Sequence, residues 1–180
     1  MHALVQPSDD WQLPRRLIKV NHAGEHGAVS IYRAQAWVCR LTAPDLVPLL
    51  KAFRAHEEGH RALFGRYLAG HNVPRCRSYH LCGMGGLILG FITGLFGRSA
   101  VAATTVAVER VVLRHLQAQL QQLATLDGEA RAAVAAIVLE ETEHHDTANL
   151  ELQQGRLWPR VIMPVVSAAT EAVIWLGLKL

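Results

Sequence analysis

Six acidic and histidine residues recur along this chain in a pattern that suits metal binding. Each of two Glu-x-x-His pairs follows a lone Glu by 32 residues (57−25 and 141−109), and the second set lies 84 residues after the first (109−25). The six residues are Glu25, Glu57, His60, Glu109, Glu141 and His144. A Glu and a His three positions apart share one face of a helix. The pattern therefore predicts a dinuclear metal site inside a helix bundle, which points to oxygen chemistry at two iron ions.

An ordinary solvated helix face is the alternative explanation for these charges. A lone Glu-x-x-His pair is common on exposed helices. Glu109, however, lies in the apolar segment VAATTVAVERVVL, and Glu25 lies among small and apolar residues. A buried carboxylate costs several kcal/mol unless it is paired or bound to a metal. The pattern therefore favours metal ligands over a solvated face.

The residue types also indicate which metal and which neighbours to expect. Four carboxylates and two imidazoles suit iron or manganese, whereas zinc prefers fewer ligands with sulfur or more nitrogen. In the acidic run 140–143, only Glu141 has a His three residues later, so Glu140 is not a predicted ligand. A metal-bound His normally donates its other ring nitrogen to a carboxylate or carbonyl, and Asp146 is a candidate for that role.

Helical periodicity predicts an all-α fold of four bundle helices and one additional helix. Bundle helices are expected at 14–41, 44–70, 128–153 and, as one continuous apolar and then amphipathic segment, 81–124. Residues 1–13 are assigned to an N-terminal tail, 14–153 to the bundle and 159–180 to an apolar C-terminal helix, all in one domain. Asp127 is a plausible N-cap for the fourth bundle helix.

Helix lengths support the site. At about 1.5 Å per residue, Glu25 and Glu57 lie at matching heights in an antiparallel hairpin, and so do Glu109 and Glu141. Two such hairpins, packed together, bring all four carboxylates into one layer.

Charge and cysteine content narrow the functional classes. A formal net charge of +3 is too small to indicate nucleic-acid binding. The three cysteines lack Cys-x-x-Cys spacing, which indicates a reducing compartment and argues against a zinc site. The N-terminus shows no apolar segment typical of a signal peptide. We therefore expect a bacterial protein that faces the cytosol.

The apolar segment Leu81–Gly97 contains no formal charge and has glycines at a spacing of four, Gly86, Gly90 and Gly94. Such a small-residue face permits close helix approach. We interpret the segment as a shallow membrane anchor, with the helix 159–180 as a second contributor. The alternative is that both segments lie in the core or in a dimer interface.

Residues around these segments suit a membrane surface. Three arginines, Arg75, Arg77 and Arg98, flank the first segment and are candidates for contact with lipid phosphates. Aromatic residues enriched at membrane interfaces are also present, namely Phe91, Phe96, Trp158 and Trp175. A dinuclear site beside a membrane-facing apolar patch implies a lipid-soluble substrate.

The motifs that carry these residues resemble the demethoxyubiquinone hydroxylases of ubiquinone biosynthesis, within the ferritin-like superfamily. The resembling segments are LIKVNHAGEHGAVSIYRAQ (17–35), HEEGH (56–60), TVAVERVVLRHL (105–116) and LEETEHHD (139–146). The resemblance implies a ferritin-like four-helix bundle with two iron ions per subunit at the six positions above. It also implies O₂-dependent hydroxylation of the last open ring carbon of a polyprenyl demethoxybenzoquinol, with electrons from a reductant such as one derived from NADH.

The resemblance carries further expectations about location and partners. It implies a protein peripheral to the bacterial inner membrane on the cytoplasmic side, in contact with a polyprenyl quinone and the lipid surface. A homo-oligomer and other ubiquinone-biosynthesis proteins are partners compatible with it, and nucleic acid is not. A rubrerythrin-like oxidase or peroxidase and a non-enzymatic membrane-associated helical scaffold are the alternative functions.

Two positions depart from the family pattern. Many relatives have an aromatic residue where this chain has His26, and many have His-Tyr where it has His115-Leu116. A path for electrons or protons through that Tyr is therefore not expected in this chain. His115 is either a helper of the reaction or a polar surface residue.

Overall fold

The structure is a computed structural model that describes residues 12–152 and 157–180, without the side chains at 157–159. Within these residues the chain forms helices and no strands, which confirms the predicted all-α bundle. The helices are α1 Leu13–Thr42, α2 Val47–Gly70, α3 Tyr79–Leu95, α4 Arg98–Gln122, α5 Gly128–Leu152 and α6 Leu157–Lys179, with a short 3₁₀ turn Pro44–Leu46 before α2. The expected tail 1–13 and the Trp158 side chain lie largely outside the described part.

The segment 81–124, expected to be one continuous helix, is two helices. Gly97 separates α3 from α4 and has φ of +75°, a left-handed conformation that L residues with a side chain rarely adopt. Apolar composition alone hid this break, because a run of Gly, Leu and Ile is compatible with one long helix or two short ones. The expectation of four bundle helices and one additional helix is therefore wrong by one element.

The extra element reveals a repeat of three helices. Helices α1, α2 and α3 correspond to α4, α5 and α6 when the chain is shifted by the 84 residues that separate the two metal-binding motifs. The shift moves α3 to 163–179, which lies within α6 Leu157–Lys179. Each half therefore consists of a helical hairpin followed by one apolar helix.

Helix α3 lies against α1 and runs parallel to it. A Cβ on Gly86 would overlap the carbonyl oxygen of Gly27, and one on Gly90 would overlap that of Ile31. The predicted small-residue face therefore provides close helix approach, and its partner is α1. Helix α6 lies against α4 in the same parallel sense, with Ser167 Oγ donating to the carbonyl of Ala107 and Glu171 paired with His115.

Two apolar clusters hold the bundle on either side of the acidic residues. One packs the beginning of α1 against the ends of α2 and α4, around Ile18, Phe64 and Leu123. The other packs the end of α1 against the beginning of α2 and α4, around Cys39, Leu50 and Val101. Asp127 caps α5 as predicted, because its Oδ1 accepts a hydrogen bond of 2.9 Å from the amide of Ala130.

The third helix of each half, α3 in the first and α6 in the second, exposes apolar side chains. On α3, Met84, Ile88 and Phe91 are 61%, 60% and 44% exposed. On α6, Arg160–Lys179 is long and apolar enough to cross a bilayer, with only 11% of its most apolar stretch buried. A single such helix is weak evidence for a membrane span.

Arg98 does not lie free beside α3, as expected for a lipid contact. Its guanidinium pairs with the carboxylates of Asp45 and Glu151. Because Gly97 ends α3, Arg98 begins α4 and points to the neighbouring helix ends instead. Arg98 therefore ties together the ends of the bundle, and its assignment as a lipid contact is wrong.

Candidate metal centre

The six predicted ligands converge in one buried layer between α1, α2, α4 and α5. Each is at most 5% exposed, and His144 is fully buried. Their donor atoms form two groups, and within each group all atoms lie within 4.8 Å of one another. The first group is Glu25, Glu57, His60 and Glu141, and the second is Glu57, Glu109, Glu141 and His144. Glu57 and Glu141 belong to both groups, so they lie between two adjacent positions.

The histidines reach across the bundle to the opposite half. His60 Nδ1 lies 3.0 Å from an oxygen of Glu141, and His144 Nδ1 lies 3.1 Å from an oxygen of Glu57. These atoms are close without the angles of a hydrogen bond, and they count among the buried polar atoms that lack a hydrogen-bond partner. Buried polar atoms are almost always bonded, so donors that converge without bonding suit a bound cation.

Burial and close neighbours shift the pKa values of three glutamates in the layer, Glu25, Glu109 and Glu57. Burial, together with the Glu57 and Glu141 carboxylates, raises the pKa of Glu25 well above its usual range. Burial and Glu141 do the same to the pKa of Glu109. Burial opposes ionisation of Glu57 too, but the nearby imidazoles of His144 and His60 outweigh it and lower the pKa of Glu57 to about 2. Two divalent cations would balance four carboxylates, so the residue set fits a dinuclear metal site.

The outer ring nitrogens of the two histidines have different partners. His60 Nε2 lies 2.9 Å from Glu140 Oε2, and His144 Nε2 lies 3.0 Å from Nδ1 of His56. Asp146, the residue expected to hold a metal-binding His, instead faces His145 at 3.0 Å on the surface. That expectation is wrong because Asp146 lies two residues beyond His144, on a different face of α5.

Tyr32 is a residue of the layer that the spacing argument did not identify. Its hydroxyl donates a hydrogen bond of 2.7 Å to Glu109 Oε1, and both residues are buried. Burial, with the nearby Glu109 carboxylate, raises the pKa of Tyr32 well above its usual range, which keeps the hydroxyl protonated. The available signal was its position seven residues after Glu25, two turns along the same face of α1.

An apolar cavity of about 420 Å³ lies against the acidic layer. Its walls come from α1, α3, α4 and α6, and all four glutamates of the layer line it. Few polar groups other than the glutamates line this cavity. Two of the other polar residues, Asn21 and Gln119, form a reciprocal amide pair, in which each side-chain nitrogen donates to the other side-chain oxygen at 2.7 and 3.1 Å.

The two departures from the family pattern lie on different sides of this region. His115 lines the cavity and its Nε2 lies 2.8 Å from Glu171 on α6, so it is not a simple surface residue. Leu116 lines the same cavity. His26 lies outside it, stacked on Tyr79 with ring centroids 4.1 Å apart and with Arg61 donating to its Nδ1.

Comparison with known proteins identifies relatives along most of the chain. The family described as ubiquinone biosynthesis protein COQ7 matches residues 12–177. A mitochondrial NADPH-dependent 3-demethoxyubiquinone 3-hydroxylase of Dictyostelium discoideum is 30% identical over 93% of this chain and 78% of its own length. A 3-demethoxyubiquinol 3-hydroxylase of Rhodospirillum rubrum is 30% identical over 90% of this chain and 76% of its own length. The chain therefore belongs to the COQ7 family of ubiquinone biosynthesis proteins.

Proposed function

We propose that this protein is a 3-demethoxyubiquinol 3-hydroxylase, a monooxygenase that adds a hydroxyl group to the ring of a polyprenyl demethoxybenzoquinol. The observation that carries the proposal is the apolar cavity whose lining includes all four glutamates of the acidic layer. The ring and the apolar polyprenyl tail of a quinol suit such a cavity, and the ring then contacts the metal-binding groups. The names of the relatives support the same reaction.

The proposed metal ligands are the six residues predicted from spacing. Glu25 and His60 would hold one iron ion, Glu109 and His144 would hold the other, and Glu57 and Glu141 belong to both groups of donor atoms. An iron pair held by these residues would supply the activation of O₂. In the overall reaction one oxygen atom enters the ring, and the other leaves as water with two electrons and two protons. The names of the eukaryotic relatives include NADPH. A nicotinamide nucleotide is therefore our candidate source of these electrons, and we favour NADPH over NADH.

The chain itself positions and shields the reacting groups. Tyr32 holds the Glu109 carboxylate through its hydrogen bond, and Glu140 fixes the ring of His60 with Nδ1 directed inward. The apolar walls exclude water from the cavity. The Asn21–Gln119 amide pair offers both a donor and an acceptor to the ring oxygens of a quinol.

Substrate entry accounts for the exposed third helices. Helices α3 and α6 both line the cavity, and both expose apolar side chains on their outer surfaces. We propose that these surfaces lie against the cytoplasmic side of the bacterial inner membrane, so that the quinol passes between α3 and α6. The participation of helices from both halves supports one functional domain over residues 1–180.

The test combines metal analysis, lipid analysis and turnover. Protein purified under reducing conditions should contain two irons per chain and a bound quinone detectable by mass spectrometry. It should convert a demethoxyubiquinol to its hydroxylated product with O₂ and a reductant. Iron with hydrogen peroxide turnover, but without quinone or ring hydroxylation, would favour a rubrerythrin-like peroxidase. Absence of metal would favour a helical scaffold.

A further inference from the structure

A second apolar groove lies on the other flank of α3, apart from the metal centre. Its volume is about 620 Å³, and its lining residues all belong to α1 and α3. None of them lines the cavity at the acidic layer. The groove exists because glycines bring α3 so close to α1 that larger side chains are forced to the two flanks.

The groove combines an apolar floor with two cations. Its floor includes Trp37 of α1, which stacks on Phe91 of α3 with ring centroids 6.1 Å apart. Arg33 and Arg40 flank Trp37 on α1 and also line the groove. Seven residues separate the two arginines, so they lie two helical turns apart, about 10 Å along the axis.

The described part of the chain leaves the two arginines unpaired and the Trp37 side chain largely exposed. Within residues 12–152 and 157–180, neither Arg33 nor Arg40 makes a hydrogen bond or ion pair, whereas Arg98 and Arg114 are both paired with carboxylates. Trp37 is 61% exposed. An exposed Trp between two unpaired arginines is typical of a surface that meets lipid, where aromatic rings lie at headgroup level.

The repeat indicates that the fold does not require these residues. The positions of the second half that correspond to Arg33, Trp37 and Arg40 are Gln117, Gln121 and Ala124. The second half packs its own parallel helix pair, α4 and α6, without two cations or an aromatic ring at those positions. The arginines and the Trp therefore serve something other than helix packing.

We propose that this groove binds an anionic phospholipid of the membrane surface, with an acyl chain on the apolar floor and the phosphate between Arg33 and Arg40. A guanidinium is well suited to phosphate because it donates two parallel hydrogen bonds. Continuity with the exposed apolar surface of α3 supplies the acyl chain from the same bilayer. The site is separate from the metal centre, so its failure leaves the proposed hydroxylase function unaffected.

Vesicle binding of the full-length protein tests the phosphate contact. Vesicles of phosphatidylcholine alone are compared with vesicles of phosphatidylcholine and phosphatidylglycerol, at low and high salt. For Arg33→Gln/Arg40→Gln we expect about 25-fold weaker binding to the anionic vesicles, because each arginine near an anionic surface contributes about 5-fold. Binding to the neutral vesicles should change little.

The matched control removes two charges elsewhere. Lys51→Gln/Arg66→Gln makes the same change in net charge on α2, which is not one of the two helices that line the groove. An equal loss in this control would mean that only overall charge matters, and it would overturn the proposal.

Fluorescence tests the apolar floor. Lipids with brominated acyl chains quench a Trp that contacts them, and Trp37→Gln should lose a distinct part of the quenching seen in the parent protein. Trp37→Gln introduces the residue found at the corresponding position 121, so the helix should tolerate it. Unchanged quenching would overturn the proposal. A second result would also overturn the proposal. If Arg33→Gln/Arg40→Gln converts a dimer to a monomer in sedimentation and leaves vesicle binding unchanged, the groove is covered by a second copy of the chain.

Discussion

The first repeat, α1 to α3, and the second, α4 to α6, place equivalent residues in the acidic layer but give them different neighbours. His60 has the carboxylate of Glu140 at its outer nitrogen, whereas the equivalent His144 has the imidazole of His56. A carboxylate partner makes a coordinating His a stronger donor than an imidazole partner does. The two metal positions are therefore expected to differ in affinity, although the ligand types are identical.

A second difference concerns the lone glutamates. Tyr32 donates to Glu109, but the residue that corresponds to Tyr32 in the second half is Leu116, which offers Glu25 no hydroxyl. Leu116 lines the cavity instead. At this pair of equivalent positions, the first half supports a carboxylate of the layer, whereas the second half contributes an apolar wall of the cavity.

The largest expected effect separates shared ligands from unshared ones. Glu57→Ala or Glu141→Ala should lose both irons, because each removes a carboxylate common to the two donor groups. Glu25→Ala or Glu109→Ala should lose metal mainly at one position, and activity with it. Iron per chain, measured after desalting, distinguishes these outcomes, with exposed Glu143→Gln on α5 as the control. Full iron content in both Glu25→Ala and Glu109→Ala would contradict the site.

The outer partners give the next largest effect. Glu140→Gln should weaken metal binding by about 10-fold to 100-fold, the usual result when the residue that orients a metal-bound His is changed. His56→Gln should have a smaller effect, because His56 offers His144 an imidazole and not a carboxylate. Competition with a chelator measures both affinities. Glu140→Gln should remain milder than Glu141→Gln or His144→Ala, and the opposite order would mean that the register of α5 is wrong by one residue.

Changes at the equivalent residues Tyr32 and Leu116 test whether one supports a carboxylate of the layer and the other shapes the apolar cavity. Tyr32→Phe should reduce the free energy of unfolding by about 1–3 kcal/mol, because it leaves a buried carboxylate oxygen without its donor. Leu116→Tyr should raise the KM for the quinol while iron content stays unchanged, because the larger ring fills part of the cavity. Urea unfolding and steady-state kinetics supply the measurements. Equal effects of both changes on KM would remove the proposed distinction.

The membrane surface is tested by two neighbouring residues of α3. Phe91 is 44% exposed, whereas Leu89 lines the cavity. Phe91→Asp should weaken vesicle binding and turnover of long-tailed quinols, by less than the 2.5–3.5 kcal/mol that a charge costs at a bilayer centre. It should spare a short-tailed soluble analogue. Leu89→Asp should impair both substrates, and full vesicle binding by Phe91→Asp would argue that this face of α3 meets protein instead.

The smallest expected effect is on stability at acidic pH. Burial, then the neighbouring Arg75, Arg61 and His26, lowers the pKa of His22 to about 4 from 6.5. The unfolded chain therefore binds a proton that the folded chain does not, and the stability contributed by neutral His22 is lost as the pH falls from about 6.5 towards about 4. The corresponding residue of the second half is Val106. His22→Val should gain stability relative to the parent over that pH range, as measured by urea unfolding, and a constant difference would contradict the assignment.

Sequence spacing predicted that the six acidic and histidine side chains would converge, because a helix converts spacing into direction. Glu57 and His60 share a face of α2 at any packing angle, and the same holds for Glu141 and His144. The predicted helix bounds at 14–41 and 128–153 also lie within two residues of α1 and α5. Asp127 was a correct N-cap prediction for the same local reason.

The missed features depend on contacts between distant segments or on the conformation of one residue. The break at Gly97 reflects one backbone angle inside an apolar run. Extending the 84-residue repeat from the predicted ligands to α6 would have indicated this break. Asp146 was chosen for its nearness in sequence to His144, while the true neighbour, His56, lies on another helix.

By itself the sequence determined which side chains face inward, since periodicity and the cost of burying a charge act locally. The tertiary structure decided which of them meet. His60 Nδ1 lies 3.0 Å from Glu141, and His144 Nδ1 lies 3.1 Å from Glu57, only because the two hairpins pack across each other. The apolar cavity likewise arises where α3 and α6 lie beside α1 and α4, and no single helix contains it. Helix geometry fixes a face, but only the packing of the faces creates a site.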